Sequence, residues 1–244
     1  MSKNKISSGS YDLNKWLYGG YEKGVITMIV GPPGSGKTNL VMQCCCSQAK
    51  KGNKVIFIDT EGGFSVERVR QISGDEDYEN VLKNIFLLEP TNFEEQKSSI
   101  EKMLDKLKKE HIGLIAIDGI SMLYRLERGD ACNSKDDEQV KEINRQAARQ
   151  MRVLAEISRK QKIPVLITNQ VYGSFLTEEQ IRRGEEKEVN IVGGDLFKYW
   201  SKCIIELQNN RGKRKAIILK HRSLGNKELV FEIRNKGKKK KGWI

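Results

Sequence analysis

The octapeptide Gly31-Pro32-Pro33-Gly34-Ser35-Gly36-Lys37-Thr38 satisfies every fixed position of the pattern G-x-x-x-x-G-K-[ST], in the surroundings that the pattern requires. Before it, Val25-Ile26-Thr27-Met28-Ile29-Val30 is apolar and β-branched, as a buried strand is; after it, Asn39-Leu40-Val41-Met42-Gln43 opens a helical stretch. Gly31, Gly34 and Gly36 permit backbone conformations in which successive N–H groups turn toward one anion, and the helix adds the positive end of its dipole. Pro32, Pro33 and Ser35 fill the variable positions of this cradle. A nucleotide phosphate fits it, with Lys37 reaching the β- and γ-phosphates and the Thr38 hydroxyl ligating Mg²⁺.

A strand-then-helix rhythm continues downstream. Lys54–Asp59 reads as a strand, Val66–Ile72 as a helix, Ile85–Leu88 as a short strand and Asn92–Glu110 as a long charged helix. Gly113–Asp118 is apolar until its final carboxylate; a polar helix over about residues 136–160 then leads to the strand Ile163–Thr168. Continuous apolar strands alternating with helices predict an α/β fold, a mainly parallel sheet covered on both faces. Past residue 200, Cys203–Leu207, Lys215–Lys220 and Glu228–Ile233 are closely spaced strands without helices between them, which predicts an antiparallel C-terminal edge. The expected organisation is one domain over 1–234 and a basic, disordered tail over 235–244.

In an open parallel sheet, ligands sit beyond the carboxyl ends of the strands. Those ends carry Asp59-Thr60-Glu61, Asp118 and Asn169-Gln170. Asp118, after four apolar residues, fits an aspartate that holds the Mg²⁺ shell, Glu61 could accept a proton from an attacking water, and Gln170 could hydrogen-bond the γ-phosphate.

The 244 residues contain no apolar run long enough for a membrane helix, and because polar residues rather than an apolar stretch follow Met1, secretion is not expected. Cys44, Cys45, Cys46, Cys132 and Cys203 make neither a disulfide framework nor a C-x-x-C pattern, so they are expected to be small buried side chains in the reducing cytoplasm. The 44 Lys and Arg against 32 Asp and Glu leave a net charge of +12, which favours a polyanionic partner, because neutralising phosphates releases counterions. Lys238, Lys239, Lys240 and Lys241 concentrate part of this charge near the C-terminus, where the tail serves either nucleic-acid binding or solubility.

With these motifs in place, the chain resembles the core ATPase domain of the RecA/RadA recombinase family, on the side of its archaeal paralogues. Ser7–Leu13 with Gly19-Gly20, Ile58-Asp59-Thr60-Glu61-Gly62, Leu114–Asp118, Arg149-Gln150-Met151, Ile167–Val171 and Val192–Asp195 carry the resemblance. It implies a RecA-like P-loop core that binds ATP and Mg²⁺, in which Glu61 polarises water, Gln170 senses the γ-phosphate and Arg68 lies near the adenine. It also implies two DNA-binding loops, 125–137 with Arg125 and Arg128, and 171–192 with Tyr172, Phe175, Arg182 and Arg183. Single-stranded or branched DNA is the expected nucleic acid, although Glu178, Glu179, Glu185, Glu186 and Glu188 oppose phosphate binding by the second loop. The implied protein partners are a RadA-type recombinase and a Holliday-junction nuclease.

The strand before the phosphate loop is expected to begin near residue 25, too early for a preceding helix–hairpin–helix domain, and so limited homo-oligomerisation is expected. In place of the family's proline-containing cap stands Leu219-Lys220-His221-Arg222-Ser223, where Lys220 or Arg222 could act in trans on a neighbouring subunit's γ-phosphate or simply form a basic strand edge. Weak hydrolysis and DNA binding without robust strand exchange are the implied activities. A ring-forming signalling ATPase of the circadian-clock KaiC type, and an adaptor using ATP only as a structural ligand, are the alternative readings.

Overall fold

The computed structural model describes residues 4–173, 183, 189–210 and 212–233. An N-terminal hairpin-like unit of β1 (Lys5–Ile6), α1 (Tyr11–Trp16) and β2 (Tyr21–Glu22) precedes the main sheet. The Ser10 side chain caps α1 by accepting from the Leu13 amide, a short element that apolar periodicity did not signal. The remaining strands are β3 (Ile26–Gly31), β4 (Lys54–Asp59), β5 (Ile85–Leu88), β6 (Ile112–Asp118), β7 (Val165–Gly173), β8 (Val189–Ile191), β9 (Ser201–Asn210), β10 (Lys213–Lys220) and β11 (Glu228–Phe231). The helices are α2 (Lys37–Ala49), α3 (Val66–Ser73), α4 (Tyr78–Lys83), α5 (Phe93–Lys109), α6 (Met122–Asn133), α7 (Asp137–Gln161) and α8 (Asp195–Trp200).

Strand order across the sheet is β11-β10-β9-β3-β7-β6-β4-β5, with β8 antiparallel to the far end of β7. The strands from β9 to β5 are parallel, and β10 and β11 turn back antiparallel. The expected C-terminal edge is therefore present, with β9 itself joining β3 in parallel.

Period-2 alternation explains the unbroken apolar strands. Val55 and Phe57 face one side, against Leu40, Val41 and Cys44–Cys46 of α2, while Ile56 and Ile58 face the other, against Phe93, Ile100 and Met103 of α5. Helices α6, α7 and α8 complete the second layer through Leu123, Met151, Leu154 and Phe197. Cys44, Cys45, Cys46 and Cys203 are buried as expected; Cys132 is exposed.

The loop expected over 125–137 is instead mostly the helix α6, which runs to Asn133. Leu123, Tyr124 and Ala131 form its buried side, and packing against the second core holds the helix through Gly129. The strand expected over 163–168 continues to Gly173, placing Tyr172 on a strand rather than in a loop. Helix α4 lies in a stretch that the sequence left unassigned. Residues Phe175, Arg182 and the five glutamates of the second loop, and Lys238–Lys241 of the tail, lie outside the described residues.

Because Phe57 is fully buried in β4 and meets Phe64 edge-to-face at 5.2 Å, Phe57→Ala should lower the unfolding free energy by about 3–5 kcal/mol, read from urea titrations.

Candidate functional site

Parallel pairing brings the carboxyl ends of four strands to one edge. Gly31 is paired with Gln170 across β3 and β7, and Asp59 with Asp118 across β4 and β6. The residues 31–38 loop thus leaves the sheet beside every predicted catalytic side chain.

Within the loop, Gly34 and Gly36 have φ of +72° and +106°, which L side chains rarely adopt. Gly36 precedes α2 as its N-cap, so the first amides of a thirteen-residue helix open onto the cradle. A Cβ on Gly36 would lie 2.5 Å from Ile233 Cδ1; the chain just past β11 therefore flanks the loop, a contact with no signal in the sequence. The Lys37 ammonium is buried and donates to the Gly31 and Pro32 carbonyls at 3.0 and 3.1 Å. Burial lowers its pKa, and the nearby Glu61 and Asp118 charges oppose the shift.

Asp118 is fully buried. Its Oδ2 accepts from the Thr38 hydroxyl at 2.7 Å and its Oδ1 from the Thr168 hydroxyl at 2.6 Å, while the Gly119 amide donates to Thr168 Oγ1 at 2.7 Å. Burial pushes the carboxyl pKa upward; the two hydroxyls pull it back, and Glu61 and Asp59 add to the rise. Crowded carboxylates beside a hydroxyl suit a hard cation. Among the described residues no three His, Cys, Asp or Glu side chains gather in a group that could hold a metal ion. The oxygen donors Thr38 and Asp118 are chemically suited to that ion, directly or through water.

Glu61 owes its position to its neighbours. Asp59 accepts from the Glu61 and Phe64 amides at 3.1 and 2.7 Å, and the Thr60 hydroxyl donates to the Asp118 and Gly119 carbonyls at 3.0 and 2.8 Å. Across the site, Gln170 Nε2 donates to Glu61 Oε1 at 3.1 Å. The buried Asn169 supports Gln170: its Oδ1 accepts from the Gln170 amide at 2.8 Å and from the Ser121 hydroxyl, and its Nδ2 donates to the Val192 carbonyl at 2.9 Å. Thr168, Gly119 and Ser121 are positioning residues that the sequence reading did not assign.

Gln170 also lines a cleft of about 770 Å³ whose walls include Tyr124, Arg125, Arg128, Asn144 and Tyr172. Three of the expected DNA-binding side chains thus share one cleft, two from α6 and one from β7. Arg183 is exposed. Arg68 on α3 turns toward α2, its Nε donating to Asn39 Oδ1 at 2.7 Å, one residue past Thr38. Lys220 and Arg222 lie elsewhere. β10 runs antiparallel to β9, so they stand at and beyond its end away from the chain's own phosphate loop, and Arg222 pairs with Glu22 at 2.7 Å.

Gly119 has a φ of +82°, and a Cβ there would approach Thr60 Oγ1 and Glu61 Cγ to 2.5 Å. Gly119→Ala should displace Glu61 and cut single-turnover ATP cleavage by on the order of 10²-fold, with nucleotide affinity within a few-fold of the parent by equilibrium titration.

The family model described as Rad51 matches residues 2–241. The chain is 39% identical over 241 residues to the "DNA repair and recombination protein RadB" of Methanosphaera stadtmanae, covering 97% of both chains. The identically named proteins of Methanobrevibacter smithii and Methanocaldococcus jannaschii are each 38% identical, over 96% and 92% of this chain and 95% and 97% of their own lengths. A family model and relatives of matching length agree along nearly all of the sequence: the chain belongs to the Rad51 family.

Proposed function

We propose that the chain is an ATP- and DNA-binding recombinase paralogue of homologous recombination and DNA repair. It hydrolyses ATP slowly with Mg²⁺ and regulates a RadA-type recombinase or a junction nuclease, without robust strand exchange of its own. The Glu61–Gln170 hydrogen bond carries this reading, because it joins the phosphate pocket to the cleft of Arg125, Arg128 and Tyr172.

Mg²⁺ bound with ATP would supply charge neutralisation at the β- and γ-phosphate oxygens. Lys37 exchanges the Gly31 and Pro32 carbonyls for phosphate oxygens, and the loop amides hold the same group. Glu61 orients the attacking water and accepts its proton. Gln170 divides its amide between Glu61 and the γ-phosphate, and its loss of the phosphate partner after hydrolysis is felt at the cleft. The placement of Lys220 and Arg222 supports slow turnover. These cations can meet a γ-phosphate only on a neighbouring copy, so an isolated chain works without a cationic finger.

The relatives' printed name supports the assignment to recombination and repair. The test is steady-state ATP turnover with and without single-stranded DNA. Slow turnover changed less than about threefold by DNA, with nucleotide binding lost in Lys37→Ala, is the expected outcome. A Lys37→Ala protein with normal affinity and turnover would refute the site, and strong stimulation by DNA would indicate a motor in place of a regulator.

A further inference from the structure

We infer that a second single-stranded nucleic-acid surface lies at the opposite end of the sheet, formed by Tyr18, Lys198, Tyr199, Lys202 and Lys227 around the end of β10. The inference goes beyond the proposed function, which needs only the cleft beside Gln170.

α8 connects the two ends. The backbone just before it, Gly193 and Gly194, lines the cleft, and its last residue leads into Ser201, which pairs with Ile26 at the start of β3. Tyr199 therefore emerges far from the phosphate loop, 68% exposed, with Lys202 Nζ 5.5 Å from its ring centroid. Tyr18, 62% exposed, has φ of +53°, and Lys227 Nζ lies 4.1 Å from its ring centroid and donates to its hydroxyl at 2.6 Å. Two solvent-facing aromatic rings, each carrying a lysine, offer stacking faces beside phosphate-binding charges.

Contacts link the two rings into one band. The Lys220 ammonium donates to the Lys198 carbonyl at 2.9 Å; Arg222 bonds Glu22; Glu22 pairs with Lys5 across the β1–β2 ladder; and Lys5 Nζ donates to the Leu17 carbonyl, next to Tyr18. Glu22 is the carboxylate within this chain of contacts, and Arg222 already neutralises it. Among the described residues no carboxylate forms a salt bridge with Lys198, Lys202, Lys220 or Lys227. Burial and then the Lys202 charge lower the Lys220 pKa, as expected where cations crowd without a counter-charge. An anionic polymer relieves that repulsion, and exposed rings favour unpaired bases over a duplex or an acidic protein.

The test is fluorescence anisotropy of a labelled oligothymidylate at several salt concentrations, with melting temperature as the folding control. Lys198→Gln/Lys202→Gln/Lys227→Gln should reduce the slope of log affinity against log salt by about 2, at roughly 0.7 per lost single-strand contact, and leave basal ATP turnover unchanged. Tyr199→Ala should weaken binding roughly tenfold with the slope retained. An unchanged slope in the triple variant, with binding lost only in Arg125→Gln/Arg128→Gln, would overturn this surface and leave the cleft assignment standing. Competition by polyglutamate as effective as by oligonucleotide, with Tyr199→Ala silent, would overturn it too, since the band would then be a sink for any polyanion.

Discussion

The buried carboxylate of Asp118, held between the hydroxyls of Thr38 and Thr168, is the interaction on which the rest of the site rests. Three strands and one helix meet there: Asp118 ends β6, Thr168 belongs to β7, Thr38 lies in the first turn of α2, and the paired Asp59 ends β4. A carboxylate removed from water costs several kcal/mol unless it is satisfied, and each hydrogen bond to a charged group returns about 1.5–3 kcal/mol. Strand order, register and loop conformation are thereby tied to one group, which is also a candidate for the Mg²⁺ shell. Stability and chemistry converge on the same atoms: burial raises the proton affinity of Asp118, and the Thr168 and Thr38 hydroxyls oppose that rise.

Much of this was legible in the sequence because it depends on short-range pattern. The apolar strand before Gly31, the single carboxylates closing Ile56–Ile58 and Leu114–Ile117, and the helix over 136–160 follow from periodicity, and parallel strands then force their ends together. α6 was missed because its polar sequence with Gly129 looks like a loop, while its helicity comes from packing Leu123, Tyr124 and Ala131 on the second core. Thr168, Gly119 and Ser121 were missed for another reason. Their roles are long-range hydrogen bonds and a positive φ, which are not visible until β6 and β7 are adjacent.

The Glu61–Gln170 contact gives this arrangement a direction. Asp59 accepts from the Glu61 amide and the buried Asn169 from the Gln170 amide, and the Glu61 and Gln170 side chains meet through one hydrogen bond. Asn169 bonds both Ser121, just before α6, and the Val192 carbonyl past β8, so the proposed coupling has a route from Gln170 to both walls of the cleft. The free-energy difference available from such a coupling is about 1–3 kcal/mol.

The most direct test of that central claim is the affinity of the intact protein for single-stranded DNA at one fixed salt concentration, with a non-hydrolysable ATP analogue and then with ADP. Coupling through Glu61 and Gln170 predicts affinities that differ about 5-fold or more between the two nucleotides. Equal affinities would contradict it and leave the nucleotide as a structural ligand, unconnected to the cleft.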